Sequence, residues 1–193
     1  MSQHVADVTL QLPSANLELH YLGYRISGRL IGPGNATLED GHLSVTTPTD
    51  SVRASVSFGN YTLLVPAETL SIWANPSPSG YESGIPRVRY DGIVASSDTT
   101  IDLSLDGHLV SGRATGPNGI PLYGGWVSAS SATASAYHAF AIDGSYAIYL
   151  PTGEYAFTVY TGGRGDGTHV YPPILINAPQ TLDFDLPGTA SVP

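Results

Sequence analysis

Residues Leu17 to Pro33 read LELHYLGYRISGRLIGP, and residues Ile101 to Pro117 read IDLSLDGHLVSGRATGP. The two stretches align without a gap at an offset of 84, Ser27 against Ser111. Working outward, Gly59-Asn60-Tyr61-Thr62-Leu63 with Pro66 matches Gly144-Ser145-Tyr146-Ala147-Ile148 with Pro151 at an offset of 85. Near the close of each copy, Ile101-Asp102-Leu103-Ser104-Leu105 matches Leu182-Asp183-Phe184-Asp185-Leu186. Self-similarity at a fixed period marks a repeated structural unit. The period predicts two units, residues 25–107 and 108–193. Residues 1–24 resemble the last two strands of a preceding unit, since Val8 to Leu19 (VTLQLPSANLEL) matches Gly92 to Leu103 and Pro173 to Phe184.

Each unit reads as β-structure. Tyr146, Ile148 and Leu150 alternate with Ala147 and Tyr149; after Pro151-Thr152-Gly153, Tyr155, Phe157 and Val159 alternate with Ala156, Thr158 and Tyr160. Such alternation buries one face of a strand, and the pair is expected to form a hairpin. No helix-length pattern occurs, and 22 Gly with 15 Pro supply many turns. The expected fold is therefore all-β, with tandem seven-stranded, two-sheet sandwich domains.

Composition narrows the function classes. Sixteen acidic residues against seven basic ones, all Arg, leave a net charge of −9. No basic cluster along the chain offsets it, so a phosphate backbone would be repelled and no nucleic-acid partner is expected. No run approaches the roughly 18 to 20 apolar residues of a membrane helix, so no membrane insertion is expected either. With no Cys there are no disulfides and no thiolate sites. The six His are scattered without metal-ligand spacing, Glu39-Asp40 and Asp50 lack a calcium-loop pattern, and no Ser nucleophile elbow is present. No catalytic residue, metal or cofactor is expected, and the chain reads as a non-enzyme. Asp98, Asp102, Asp183 and Asp185 read as solubilising charges on the closing strands.

The second unit resembles the carboxypeptidase regulatory-like repeat, a transthyretin-like sandwich related to the B-type repeats of collagen adhesins. The residues that carry the resemblance are Val110-Ser111-Gly112-Arg113, Gly119-Ile120-Pro121-Leu122 with Gly124-Gly125-Trp126-Val127, Asp143-Gly144-Ser145-Tyr146, and Leu150-Pro151-Thr152-Gly153-Glu154-Tyr155. The resemblance implies that the sandwiches are of prealbumin-like or immunoglobulin-like form, each a non-catalytic bead of an extracellular or cell-surface protein. Some adhesin relatives link their sheets by a Lys to Asn isopeptide bond, which a chain without Lys cannot form.

Three sets of residues are candidates for contact. The pleat turns Trp126, Tyr149 and Tyr160 outward, where aromatic rings stack on sugars or anchor a protein interface; packing of Trp126 against the adjoining unit is the plainer alternative. Arg164-Gly165-Asp166 forms an integrin-type tripeptide in a Gly-rich loop, although a plain solvated loop accounts for it as well. Val8, Leu10, Leu12, Leu17 and Leu19 alternate as a strand that could be donated to another copy. The expected partners are neighbouring repeats or further copies of the chain, and beyond these a glycan or a surface protein. The expected role is a structural or adhesive segment of a stalk, fibre or filament; the alternative is a carbohydrate- or protein-binding accessory module of a secreted hydrolase. Only Asp106, Gly107 and His108 separate the closing strand at Leu105 from the opening strand at Leu109, so successive beads are expected to join stiffly.

Overall fold

The computed structural model describes residues 23–48, 51–162 and 167–186. The first half of the described chain contains β1 (Tyr24–Ile31), β2 (Asp40–Thr46), β3 (Ser51–Ser57), β4 (Asn60–Val65), β5 (Thr69–Pro76), the single helical turn α1 (Pro78–Glu82), β6 (Arg87–Val94), β7 (Thr99–Thr100) and β8 (Leu103–Ser104). The second half repeats the order with β9 (His108–Thr115), β10 (Trp126–Ser130), β11 (Ala134–Ala139), β12 (Ser145–Leu150), β13 (Gly153–Tyr160), β14 (Thr168–Ile176), β15 (Gln180–Thr181) and β16 (Phe184–Asp185). The protein is all-β, and its sheets pack as sandwiches. If each short closing pair, β7 with β8 and β15 with β16, is taken as one interrupted strand, each half has seven strands.

One layer runs β6-β5-β2-β3 in the first half and β14-β13-β10-β11 in the second. The facing layer runs β4-β1-β7 in the first half and β12-β9-β15 in the second. The inner faces follow the alternation read from the sequence: Tyr146, Ile148, Leu150, Tyr155, Phe157 and Val159 are all buried. The expected hairpin between Ser145–Leu150 and Gly153–Tyr160 does not form. β12 pairs with β9, whereas β13 pairs with β10 and β14, so the Pro151 turn carries the chain from one layer to the other. A period of two says which face is buried, and it reads the same for neighbours in one sheet as for strands facing each other across a core.

Both halves carry a bulge at the same place. Leu70 pairs with Ile93 and Ile72 with Tyr90, leaving Asp91-Gly92 opposite a single residue. In the same way Tyr155 pairs with Ile174 and Phe157 with Tyr171, leaving Pro172-Pro173 unpaired. A proline cannot donate to a ladder, and a bulge is where a strand tolerates one.

The first and last strands of each half run parallel. Ile26-Ser27 pairs with Thr99-Thr100 and Leu30-Ile31 with Leu103-Ser104; Val110-Ser111 pairs with Gln180-Thr181 and Ala114-Thr115 with Phe184-Asp185. A chain that starts and finishes on parallel neighbours comes in at one end of the sandwich and goes out at the other.

The halves are joined by more than the short linker. Val88 and Arg87, at the start of β6, pair with Ala134 and Ser135, at the start of β11, so the two larger layers continue into each other by their ends. The Arg89 amide donates to the Thr133 carbonyl at 2.7 Å and the Tyr149 amide to the Gly84 carbonyl at 2.9 Å.

Candidate functional site

The repeated motifs converge on one structural lock, built twice. The Gly28 Cα faces the Ile101 carbonyl so closely that a Cβ there would lie 1.8 Å from the oxygen; Gly112 faces the Leu182 carbonyl, with the corresponding distance 1.9 Å. Tyr61 Oη donates to the Ile101 carbonyl at 2.5 Å, and Tyr146 Oη to the Leu182 carbonyl at 2.7 Å. Burial pushes both phenols far above their ordinary range, so they remain neutral donors. Across the interruption in the closing strand, the Arg29 amide donates to Asp102 Oδ1 at 2.8 Å and the Arg113 amide to Asp183 Oδ1 at 2.9 Å.

The aspartates on the closing strands therefore do more than the expected solubilising. Asp98 accepts the Arg25 amide at 2.8 Å, and Asp185 accepts the Thr115 hydroxyl. Asp102 also takes the Arg29 guanidinium at 2.8 Å. That donation, with the Arg29 amide, holds the Asp102 carboxyl below the usual carboxylate range.

Of the three aromatic candidates, two come together. Trp126 and Tyr160 are directly paired across β10 and β13, and their rings stack with centroids 4.6 Å apart and planes inclined by 22°. Trp126 stays 38% exposed, so the ring pair is a partly open platform whose stacking partner lies in its own half, not in the adjoining one. Tyr149 stands apart on β12, in the facing layer, where its amide meets Gly84 at the junction of the halves. The segments Arg164-Gly165-Asp166 and Val8 to Leu19, with Leu10, Leu12 and Leu17, lie outside the described residues.

A concavity that the sequence reading did not single out lies on the outer face of the first half, with His42, Arg53, Trp73, Asn75 and Arg87 among its walls. Its cations come from β3 and β6 and are far apart along the chain, so no local basic cluster announced it. Burial, and then the charge of Arg53, holds the His42 imidazole below its ordinary range. Applying the outward-facing alternation of β2, β3, β5 and β6 together would have found the set, had the strand order been known. Among the described residues no group of three or more His, Asp or Glu side chains is placed to hold a metal ion, and no helix is long and apolar enough to cross a membrane.

No family model matches the chain, and no curated protein matches it. Among solved structures it is similar to the TIE protein of Bacillus anthracis, with 11% identity over 86% of this chain and 34% of that one, at a TM-score of 0.37. It is similar to the shaft pilin SpaA of Lactobacillus rhamnosus GG, with 7% identity over 89% of this chain and 100% of that one, at a TM-score of 0.35. A Streptococcal ancillary pilin is similar at 11% identity over 88% of this chain and 64% of that one, with a TM-score of 0.30. The chain thus spans about a third of the length of the first of these.

Proposed function

We propose that the chain is a non-catalytic structural and adhesive segment of an extracellular or cell-surface protein. In this reading it is built from two carboxypeptidase regulatory-like repeats, residues 25–107 and 108–193, preceded by closing strands of a further copy. The observation that carries the reading is the parallel pairing of first and last strands in both halves, which suits beads strung in line. The junction is compatible with it: Arg87 and Val88 at the start of β6 pair with Ser135 and Ala134, and Ser83 bridges to His138, so β6 itself meets the second half only at its starting end. The partly open Trp126 and Tyr160 platform supplies the adhesive surface.

Small-angle scattering of the whole chain tests the arrangement. An elongated particle with a distance distribution skewed to long separations is the expected result; a symmetric distribution from a compact body refutes it. Loss of surface attachment in Trp126→Ala, with the fold intact by circular dichroism, is expected for the adhesive part of the reading, and unchanged attachment counts against it.

A further inference from the structure

The outer face of the first half carries a cation arrangement that the chain's charge makes unusual. Acidic residues outnumber basic ones by 16 to seven, and three guanidiniums are matched to carboxylates: Arg29 to Asp102, Arg89 to Asp91 and Arg113 to Asp143. Arg53 and Arg87 have no carboxylate partner among the described residues. Two guanidiniums without a carboxylate partner among the described residues, set beside one groove, concentrate positive potential there.

The strand register explains how they meet. Ser44 on β2 pairs with Arg53 on one side and with Trp73 on the other, so Arg53, Ser44 and Trp73 form one row on the outer face, spanning two strand spacings or about 10 Å. Arg87, on β6 beside β5, lays its Cζ 5.0 Å over the Trp73 ring. Its Nε donates to Ser135 Oγ at 2.7 Å, which fixes the guanidinium and leaves its terminal nitrogens without a hydrogen-bond partner among the described residues. Asn75 is held by donation to the His42 and Trp73 carbonyls at 3.2 and 3.1 Å. The groove has a volume of about 590 Å³.

We infer that this groove binds a glycan bearing an isolated sugar carboxylate, the acid taken between the Arg53 and Arg87 guanidiniums and the sugar ring lying beside Trp73. A planar guanidinium with free terminal nitrogens matches a carboxylate with two parallel hydrogen bonds, and an aromatic beside it suits the apolar face of a pyranose. The site lies on a sheet face whose central strands β2 and β5 are paired on both sides, while β3, which carries Arg53, meets β4 only at Ser57. The charged and polar walls offer a peptide no continuous apolar groove, and a strand added at the β3 edge would lie beside the groove and not in it. A long polyanion is opposed by the net charge of −9. The site is separate from the Trp126 and Tyr160 platform, and it does not depend on the chain being an in-line stalk.

Calorimetry on the full chain with sialyllactose and glucuronyl-xylotriose, against lactose and xylotriose as neutral counterparts, tests the assignment. An acidic sugar should bind roughly tenfold or more tightly than its neutral counterpart, and Arg53→Gln or Arg87→Gln should each cost roughly tenfold. Arg113→Gln, which removes an equal charge elsewhere, should leave binding unchanged. In a Trp126→Phe background the remaining Trp73 fluorescence should change on titration, a readout that does not require either Arg variant to fold. Equal binding of the neutral sugars overturns the proposal. So does no binding of either acidic sugar at millimolar concentration, or Arg-dependent binding of a Glu-rich peptide where the sugars fail.

Discussion

Gly28 and Gly112 each face a carbonyl oxygen at a distance that leaves no room for a side chain. Both oxygens belong to backbone already held by a tyrosine hydroxyl, so they cannot swing aside cheaply. Gly28→Ala or Gly112→Ala should cost about 3 kcal/mol or more, read as a shift in urea midpoint. Tyr61→Phe or Tyr146→Phe, which removes only the hydroxyl, should cost about 1 kcal/mol. Phe58 points to a change of the opposite sign. It is 83% exposed and holds φ of 50° in a two-residue turn between β3 and β4, with Gly59 at 76°. Such a turn favours Asn-Gly, so Phe58→Asn should stabilise the fold by about 1 kcal/mol. Acid should weaken the lock. The carboxyls of Asp102, through Arg29, and Asp143, through Ser145 first and Arg113 further down, are held below the usual range. A depressed folded value contributes stability above the unfolded pKa of about 4, and that stability is lost as pH falls through the folded value. Denaturation midpoints should therefore drop below about pH 4, and Asp102→Asn should be less stable at neutral pH with a shallower acid loss.

At the scale of elements, the junction of the halves turns on Gly84. Its φ is 82°, and a Cβ there would lie 2.2 Å from the Ala147 carbonyl oxygen. Gly84→Ala should break the bond from the Tyr149 amide to the Gly84 carbonyl. Hydrogen exchange at Tyr149 should then accelerate, while exchange at Val110, inside the β9 ladders, stays slow. The same scale shows what could be read in advance. The buried faces were legible because alternation is a local property of each strand, and the repeated Ser-Gly-Arg, Gly-x-Tyr and Asp motifs were legible because they recur at similar offsets of 84, 85 and 81 residues. The lock itself was not, since Arg29 and Asp102 meet across 73 residues and only the parallel closing strand brings them together. Layer membership of β12 and β13 was hidden because alternation looks alike on either side of a core. The pleat turns Trp126 and Tyr160 outward without revealing that they stack, because cross-strand register is absent from the chain's local pattern. Arg53 and Arg87 were hidden for the same reason.

For the whole molecule, the parallel first and last strands have a mechanical consequence. A pull on the two chain ends runs along β1 against β7 and β8, and along β9 against β15 and β16, so the rungs of each ladder are strained together. Breaking them requires a simultaneous shear, not a sequence of single ruptures. Attachment through His108 and Thr152, whose side chains meet at 3.0 Å, would instead peel β9 from β12 rung by rung. Force spectroscopy should therefore record a higher rupture force for pulling through the chain ends than for that second geometry. Under such a load the chain draws its resistance from the direction in which its strands lie, with the tyrosine and aspartate bonds as pins across the sliding surface.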